Sequence, residues 1–359
     1  MAESMEAVAP TGTGTDNSIP QQNWELANQI KVDELFEHSA SIQSEIRAAK
    51  PWDKDPQYFK LVKLSAVALL KMVMHAKRGK NIEVMGLLQG RVDAHCFIIL
   101  DTFALPVEGT ETRVNAQQQA YEYMTVYTDR SERMGIKEKI VGWYHSHPGY
   151  GCWLSGIDCA TQQMNQQFQE PWLAIVVDPL RTMSAGKVDI GAFRTYPKGY
   201  KPPERGPQEY QMIPINKIED FGVHCNEYYP LEIQFFKSEL DAQLLRALWN
   251  SHWLNTLSSS PLLSNVEFIR NQMADVTQKL KVIEKACGSS KPSEQTFEKL
   301  QKVALDSESI GHEVLAGHLS QCLKMHLFGA GDKNFKLEHA SKANGSNEGQ
   351  KIIDADMVE

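Results

Sequence analysis

The stretch VGWYHSHPGYGCWLSGID, residues 141–158, constrains the fold more than any other part of the chain. It begins with the apolar pattern of a buried strand, and a proline and two glycines follow His-Ser-His, so the strand must end there. Side chains alternate along a strand, so we expect His145 and His147 to share one face. Val141 and Trp143 belong to the same face by this spacing. At about 3.3 Å of rise per residue, the two histidines lie about 7 Å apart along the backbone and can converge on one small ligand.

Ser155 and Asp158 extend the pattern to H-S-H-x7-S-x-x-D. Their spacing is that of a capping box, with Ser155 at the N-cap of a helix and Asp158 in its first turn. The same helix start places Asp158 near the paired histidines. Two neutral imidazole nitrogens and one carboxylate leave a fourth position open, which is the arrangement of catalytic rather than structural zinc sites. The residues favour a metal site, and helix capping is compatible with it.

Cysteines offer a rival arrangement. Cys152 and Cys159 would complete a closed structural zinc site with the two histidines, although six residues separate them and a gap of about two to four is usual. The chain has six cysteines and no C-x-x-C pair. This pattern indicates neither a disulfide framework nor a zinc ribbon, and it favours a reducing compartment.

A hydrolytic metal site also needs a proton carrier that does not bind the metal, and Glu83 is the candidate. The run Ile82–Gln89 is apolar on both faces and predicts a central, buried strand. An acid in such a strand is costly without a partner or a purpose. The alternative is that Glu83 marks the solvated end of a strand.

Composition excludes several classes of function. With 359 residues, 42% of them hydrophobic, the chain can bury a sizeable core. Lys and Arg total 37 against 45 Asp and Glu, and the net charge of -8 argues against binding to nucleic acid or to anionic membranes. The start shows no apolar signal core, and the most apolar helix candidate, LSAVALLKMVM, is short and carries Lys71. We therefore expect the cytoplasm and nucleus as location.

The pattern along the chain predicts four segments. A turn around Gly90 is expected to join the strand Ile82–Gln89 to a second strand, His95–Ala104. The Pro- and Gly-rich run YPKGYKPPERGP marks the expected edge of the first domain, and the pattern becomes helical from Pro230 onward. The predicted segments are a mostly flexible start (1–50), an α/β catalytic domain (51–229), a helical assembly region (230–330) and a disordered tail (331–359).

The helical region carries apolar residues at alternating spacings of four and three. A second helical pattern runs from Phe297 to Leu327 after the break CGSSKPS. Two interpretations remain open: an antiparallel hairpin packed on its own domain, or a seam offered to a helical bundle in a larger assembly. The residues of the first seam are Ile269, Met273, Val276, Leu280 and Ile283.

The chain resembles the JAMM (MPN+) metalloproteases over most of residues 50–330, because it contains their complete E…H-S-H-x7-S-x-x-D motif. Two stretches carry the resemblance: GWYHSHPGYGCWLSGIDCATQQMNQQFQEPW and RTMSAGKVDIGAFRTYPKGYKPP. The deubiquitinase of the proteasome lid shares much of the first stretch, whereas the second is most similar to the signalosome branch of that family. The resemblance implies an α/β MPN fold with a curved mixed sheet between helices, followed by a C-terminal helical region. The motif residues are Glu83, His145, Ser146, His147, Ser155 and Asp158.

The same resemblance implies a zinc-dependent isopeptidase that removes the ubiquitin-like modifier NEDD from cullins and so regulates cullin-RING ubiquitin ligases. One Zn²⁺ per chain would be held by His145, His147 and Asp158. Glu83 would carry the proton from water to the leaving lysine amine. Ser155 would donate a hydrogen bond to the developing oxyanion, and Ser146, on the opposite strand face, would be structural.

The implied partners are other signalosome subunits, bound through the C-terminal helices, and neddylated cullin-RING ligases as substrate. Two alternatives are a deubiquitinating JAMM peptidase of another complex and a non-catalytic MPN scaffold. A scaffold would lack one or more ligands, and none is missing here.

A last expectation concerns control of the site by the loop VEGTETRVN, residues 107–115. Gly109 gives it mobility, and Glu108, Glu111 and Arg113 are charged groups within reach of a cationic centre. A carboxylate, preferably that of Glu111, would shield the open metal position until assembly with substrate draws the loop away. The alternative is an ordinary solvated loop.

Overall fold

A computed structural model describes residues 31–32, 39–108, 118–185, 187–200, 202, 211–248, 266–289 and 293–328. The chain divides into two compact units near residue 256, and residues 182–186 belong to the second. The first unit contains the β-sheet, and the second contains a pair of long helices. Among the described residues, no helix combines the length and the apolar character needed to cross a lipid bilayer.

In the part of the chain that the structure describes, the strands are β1 (Lys31–Val32), β2 (Leu61–Ser65), β3 (Val84–Asp93), β4 (Cys96–Glu108), β5 (Lys139–Ser146), β6 (Leu173–Asp178), β7 (Asp189–Thr195) and β8 (Tyr228–Lys237). These eight strands form one mixed sheet in the order β1-β8-β2-β4-β3-β5-β6-β7, and β7 also pairs with β8. The last strand therefore joins both ends of the sheet, because its first half pairs with β7 and its second half with β2. The resulting curved sheet confirms the predicted α/β fold class.

Helices accompany the sheet and follow it. The helix after β2 shows how the sequence sets a boundary, since the Ser65 side chain accepts a hydrogen bond from the Val67 N–H at 3.2 Å and caps its start. The helices are α1 (Ala40–Ala49), α2 (Ala66–Gly79), α3 (Gln118–Arg133), α4 (Gly156–Gln169), α5 (Pro179–Ala185), α6 (Ile218–His224), α7 (Glu239–Leu248), α8 (Val266–Ser289) and α9 (Glu294–Phe328).

Both faces of the central strands are buried. Leu88 and Tyr144 belong to a core on one face together with α2, while Leu87 and Trp143 belong to a second core on the other face. The second core lies beside the candidate site. The alternation of side chains along β3 and β5 thus decides which residues reach that site.

The turn predicted at Gly90 was wrong. Strand β3 continues to Asp93, and the turn lies at Ala94 and His95. A register shift falls between Gln89 and Gly90, and a Cβ at residue 90 would lie 2.1 Å from the Ile98 carbonyl oxygen. The glycine therefore permits a close backbone approach at a β-bulge and does not form a turn.

The predicted face of Val141 was also wrong. Leu88 pairs with Gly142 and Gln89 pairs with Ile140, so Val141 is an extra residue in β5. This irregularity moves Val141 into the core that contains Tyr144. The alternation holds from Trp143 to His145, whose rings stack with centroids 4.5 Å apart.

One predicted segment boundary needs correction. Strand β8 crosses the boundary placed between residues 229 and 230, so the sheet-bearing unit extends further. The alternating apolar and polar side chains of Leu231–Gln234 are a strand signal, which Pro230 obscured. Within the segment predicted to be mostly flexible, α1 is helical, and Gln43 donates to the Val92 carbonyl oxygen at 2.6 Å. Residues 1–30 and 331–359 lie outside the described residues.

The second unit contains α8 and α9, which pack against each other as an antiparallel hairpin. Both interpretations of the helical region, packing on its own domain and docking in a larger assembly, stay predictions. Lys279 on α8 donates to Asp306 on α9 at 2.7 Å, and both side chains are buried. Of the predicted seam, Val276 and Ile283 are buried in this hairpin, whereas Met273 and Leu280 are 56% and 43% exposed. Part of the face of α8 that packs against α9 is polar, and these polar side chains pair with acidic residues of α9. The buried residues of α8 are Phe268, Gln272, Val276, Lys279 and Ile283.

Candidate metal centre

Three predicted ligands meet at the end of β5. His145 lies in the strand, His147 follows it directly, and Asp158 lies in the first turn of α4. The Nε2 atoms of the two histidines are 3.1 Å apart, and Asp158 Oδ2 lies 3.3 Å from His145 Nε2 and 3.5 Å from His147 Nε2. All three side chains are buried. The structure thus brings together two imidazoles and a carboxylate, as the spacing predicted.

The donor set suits a metal ion. His147 Nδ1 lies 3.0 Å from the Gly151 carbonyl oxygen, which can only accept, so this nitrogen carries the proton. The Nε2 lone pair of a neutral His147 then faces His145 and Asp158. Ligands about 2.0–2.1 Å from a tetrahedral zinc ion lie about 3.3 Å from one another, close to the observed separations. Among the described residues, these three form the one such group of His, Cys, Asp or Glu side chains.

Electrostatics favour positive charge at this point. Burial alone would raise the pKa of Asp158, but His145 and then His147 hold that pKa well below its usual value. Burial would lower the pKa of His145, but Asp158 and, more weakly, Glu83 overcome this and raise it. A buried carboxylate that stays ionised needs a cation beside it, and a metal ion supplies one.

The predicted capping box fixes Asp158. The backbone N–H of Ser155 donates to Asp158 Oδ2 at 2.9 Å, and its hydroxyl donates to the same oxygen at 2.7 Å. In return, the Asp158 N–H donates to Ser155 Oγ at 3.2 Å. The hydrogen bonds that cap the helix are therefore the same ones that hold Asp158 in place as a candidate ligand. The Ser155 hydroxyl is engaged with Asp158 here, so its contact with an oxyanion, which would require a change of partner, stays a prediction.

Glu83 lies at the same site, although its predicted setting was partly wrong. Strand β3 begins only at Val84. Ile82 is 46% exposed because the chain has not yet entered the sheet at that residue. Glu83 is half-buried and lines a cavity of about 340 Å³ together with His147 and Asp158. A carboxylate directly before the start of a central strand thus faces the candidate metal centre, and its role as proton carrier stays a prediction.

Tyr150 is a site residue that the sequence analysis missed. Its hydroxyl donates a hydrogen bond to Glu83 Oε1, and its ring stacks on His147 with centroids 4.4 Å apart. Burial, with the nearby Glu83 carboxylate, raises the pKa of Tyr150, so its hydroxyl keeps its proton. Its position between two glycines in HPGYG was the available signal, since such a loop brings a side chain back over the strand end.

A second wall of the cavity comes from α6 and the residue before it. Lys217 lies with Nζ 5.2 Å from the centre of the Tyr150 ring, and Asp220 accepts from the Gly156 N–H at 3.2 Å. A Cβ at Gly156 would lie 2.5 Å from His224 Nε2, so a larger residue here would displace the His224 ring. Lys217, Asp220 and His224 follow the Pro- and Gly-rich run but lie within the predicted catalytic domain, and no local motif indicated them.

The rival cysteine arrangement is not formed. Cys152 and Cys159 are both buried free cysteines, and neither belongs to the group formed by the histidines and Asp158. Burial first of all, and nearby carboxylates next, raise the pKa of both thiols. Metal binding needs the thiolate, which this environment disfavours. The site is therefore a three-ligand arrangement.

The proposed regulatory loop is only partly described. Strand β4 runs to Glu108 and α3 begins at Gln118, so the loop does join a strand next to β3 to the following helix. Glu111 and Arg113 lie outside the described residues. Their regulatory role stays a prediction.

Comparison with known proteins gives consistent matches. Residues 57–171 match the family model described as JAB1/Mov34/MPN/PAD-1 ubiquitin protease, and residues 258–329 match that of the Cop9 signalosome subunit 5 C-terminal domain. The chain is 64% identical to COP9 signalosome complex subunit 5 of Caenorhabditis elegans over 87% of this chain and 85% of the relative. It is 56% identical to the protein of that name from Drosophila melanogaster, over 87% of this chain and 98% of the relative. The similarity thus extends over both units.

Proposed function

Because this chain belongs to the JAB1/Mov34/MPN/PAD-1 ubiquitin protease family, in the group formed by the COP9 signalosome subunit 5 proteins, we propose that it is the catalytic subunit of a signalosome. Its reaction would be zinc-dependent hydrolysis of the isopeptide bond between the modifier NEDD and a cullin. The observation that carries this proposal is the convergence of His145, His147 and Asp158 within 3.5 Å of one another.

The family is metal-dependent, and the buried donor set fits zinc by its chemistry and its spacing. His145, His147 and Asp158 would hold the ion and leave one position open toward the cavity. A bound zinc ion would act as a Lewis acid and lower the pKa of a water molecule to about 7.

Proton transfer falls to Glu83. Its carboxylate faces the cavity and does not belong to the metal-binding group. Asp220 also lines the cavity, but its carboxylate accepts from the Gly156 N–H. It would take a proton from the attacking water and deliver it to the ε-amine of the leaving lysine, which must be protonated to leave. Tyr150 would hold this carboxylate in place through its hydroxyl.

Ser155 would assist at the carbonyl oxygen. It is half-buried and lines the cavity, so a carbonyl bound there lies within its reach. As negative charge develops on that oxygen, the hydroxyl would exchange Asp158 for the oxyanion as its acceptor, a contact that is strongest in the transition state.

The second unit would supply the contacts with other signalosome subunits. Leu315, Leu319 and Leu323 on α9 are 58%, 57% and 61% exposed and recur every four residues, so they form an apolar stripe. A stripe of this kind suits packing into a helical bundle. We place the assembled protein in the cytoplasm and nucleus, where neddylated cullin-RING ligases would be its substrates.

The experiment that tests this function is a cleavage assay on the assembled complex. Neddylated cullin and a lysine-linked ubiquitin conjugate are incubated with the complex as purified, after metal removal by a chelator, and after zinc is restored. We expect zinc-dependent release of NEDD and slower release of ubiquitin. Preferred release of ubiquitin would indicate a deubiquitinase, and no cleavage by the zinc-loaded complex would indicate a scaffold.

A further inference from the structure

We propose that Asp178 is a positioning residue for the candidate metal centre, which it holds through the loop His147–Gly151. The inference rests on the proposed function only in assigning a metal to this site. Asp178 is the last residue of β6, is completely buried and lies outside the JAMM motif.

The carboxylate of Asp178 binds the loop at two points. Its Oδ1 accepts from the Gly149 N–H at 3.0 Å, and its Oδ2 accepts from the Gly151 N–H at 2.9 Å. Both glycines have φ of 87°, in the left-handed region that other residues rarely adopt. This conformation turns both N–H groups toward one carboxylate, so the glycines and Asp178 form one unit.

The same carboxylate is anchored on its other side. Oδ1 also accepts from the N–H groups of Leu180 and Arg181 at 2.9 and 3.0 Å, at the start of α5. The Arg181 Nε atom lies 3.5 Å from Oδ2. Asp178 is therefore fixed by the backbone that follows it, and it transmits that fixed position to the loop.

Gly151 connects this unit to a proposed ligand. Its carbonyl oxygen accepts from His147 Nδ1 at 3.0 Å, and the His147 N–H donates to the Val177 carbonyl oxygen at 3.0 Å. The first bond fixes the tautomer of His147 and aims Nε2 at the other ligands. Such outer partners of ligating histidines set ring orientation and metal affinity. In contrast, His145 Nδ1 has no hydrogen-bond partner among the described residues, and stacking on Trp143 orients that ring.

Through Tyr150, the binding of the loop by Asp178 also affects the proposed proton carrier. It lies between the two glycines that Asp178 binds, and it contacts both His147 and Glu83. Displacement of the loop would therefore disturb the ligand and the proton carrier together. If Asp178 had a purely structural role, its substitution would lower the stability of the protein but would not change how tightly the folded protein retains the metal.

The test is Asp178→Asn in the intact complex. Asparagine keeps the shape of the side chain, but its amide group would place a donor against one of the glycine N–H groups. We expect zinc to be released to a chelator about tenfold to 100-fold faster than from the parent, the range found for outer partners of metal ligands. We also expect an altered visible absorption spectrum after Co²⁺ substitution, and a lower kcat with little change in KM.

Asp306→Asn is the matched control, because Asp306 is a buried carboxylate on α9 outside the candidate site. It should leave zinc release and the Co²⁺ spectrum unchanged. If Asp178→Asn does not fold, Gly151→Ala carries the test, since it keeps Asp178 but strains the backbone at φ of 87°. A folded variant with parental zinc release and Co²⁺ spectrum would overturn the inference while leaving the proposed function intact. A parent complex that binds no metal would overturn both.

Discussion

The hydroxyl oxygen of Ser146 accepts a hydrogen bond from the backbone N–H of Val84 at 3.0 Å. Both residues are buried, Ser146 lies between the two proposed histidine ligands, and Val84 follows Glu83 directly. The bond therefore fixes the start of β3 against the end of β5. It gives the middle residue of His-Ser-His a physical task, which is to hold the proton carrier at a constant distance from the ligands.

Ser146→Ala should separate this task from metal binding. The variant leaves the Val84 N–H without its acceptor, and an unsatisfied buried donor costs about 1–3 kcal/mol. We expect a lower melting temperature and a lower kcat, with zinc content unchanged because both histidines remain. Ser131→Ala, at a buried serine on α3, is the control. Parental kcat in a destabilised Ser146→Ala variant would show that the bond supports only the fold.

Glu83→Gln should keep zinc and lose turnover. The amide retains the shape and hydrogen-bonding capacity of the side chain but cannot carry a proton. General acid–base catalysis contributes about 10²- to 10⁴-fold, and kcat should fall on that scale. The measurement is single-turnover cleavage of neddylated cullin at saturating substrate. Near-parental cleavage would make Glu83 a structural acid.

Tyr150→Phe should reduce turnover less severely. The ring that stacks on His147 remains, and only the hydroxyl that donates to Glu83 is lost. A hydrogen bond to a charged group contributes about 1.5–3 kcal/mol, so a loss of at least about tenfold in kcat is expected. Tyr123→Phe, at an exposed tyrosine of α3, serves as control. The idea fails if the two variants have equal kcat and equal zinc content.

The ligand set was predictable because its information is local. His145, His147 and Asp158 lie within 14 consecutive residues, and strand alternation with a capping box suffices to bring them together. The hairpin of α8 and α9 was predictable for a similar reason, since two long helical patterns joined by a short break favour antiparallel packing.

The remaining site residues depend on contacts between distant segments. Asp178 lies 29 and 27 positions from the glycines it binds, and an Asp-Pro pair after an apolar run is an ordinary strand end. Strand β8 is likewise placed by pairing with β2 and β7. The bulge at Val141 depends on the register with β3, which the sequence of β5 alone does not specify.

Lys279→Met should destabilise the second unit. Lys279 is buried between Asp275 at 2.8 Å and Asp306 at 2.7 Å, so its loss removes a cation from the buried Asp306 and the half-buried Asp275. Breaking a buried pair in this way costs about 3–5 kcal/mol. We expect the thermal unfolding transition of this unit to move to lower temperature and zinc content to stay constant. Lys279→Met combined with Asp306→Leu should recover part of the loss, and an unchanged transition in the single variant would show that the pair contributes nothing.

The zinc content of the assembled complex tests the central claim most directly. Elemental analysis is made on the parent, on His147→Ala and on the double variant Cys152→Ser with Cys159→Ser, each after the same exposure to chelator. The account predicts one zinc ion per copy of this chain in the parent and in the double cysteine variant, and none in His147→Ala. Full zinc occupancy in His147→Ala, or its loss in the cysteine variant alone, would contradict the assignment of His145, His147 and Asp158 as the ligands.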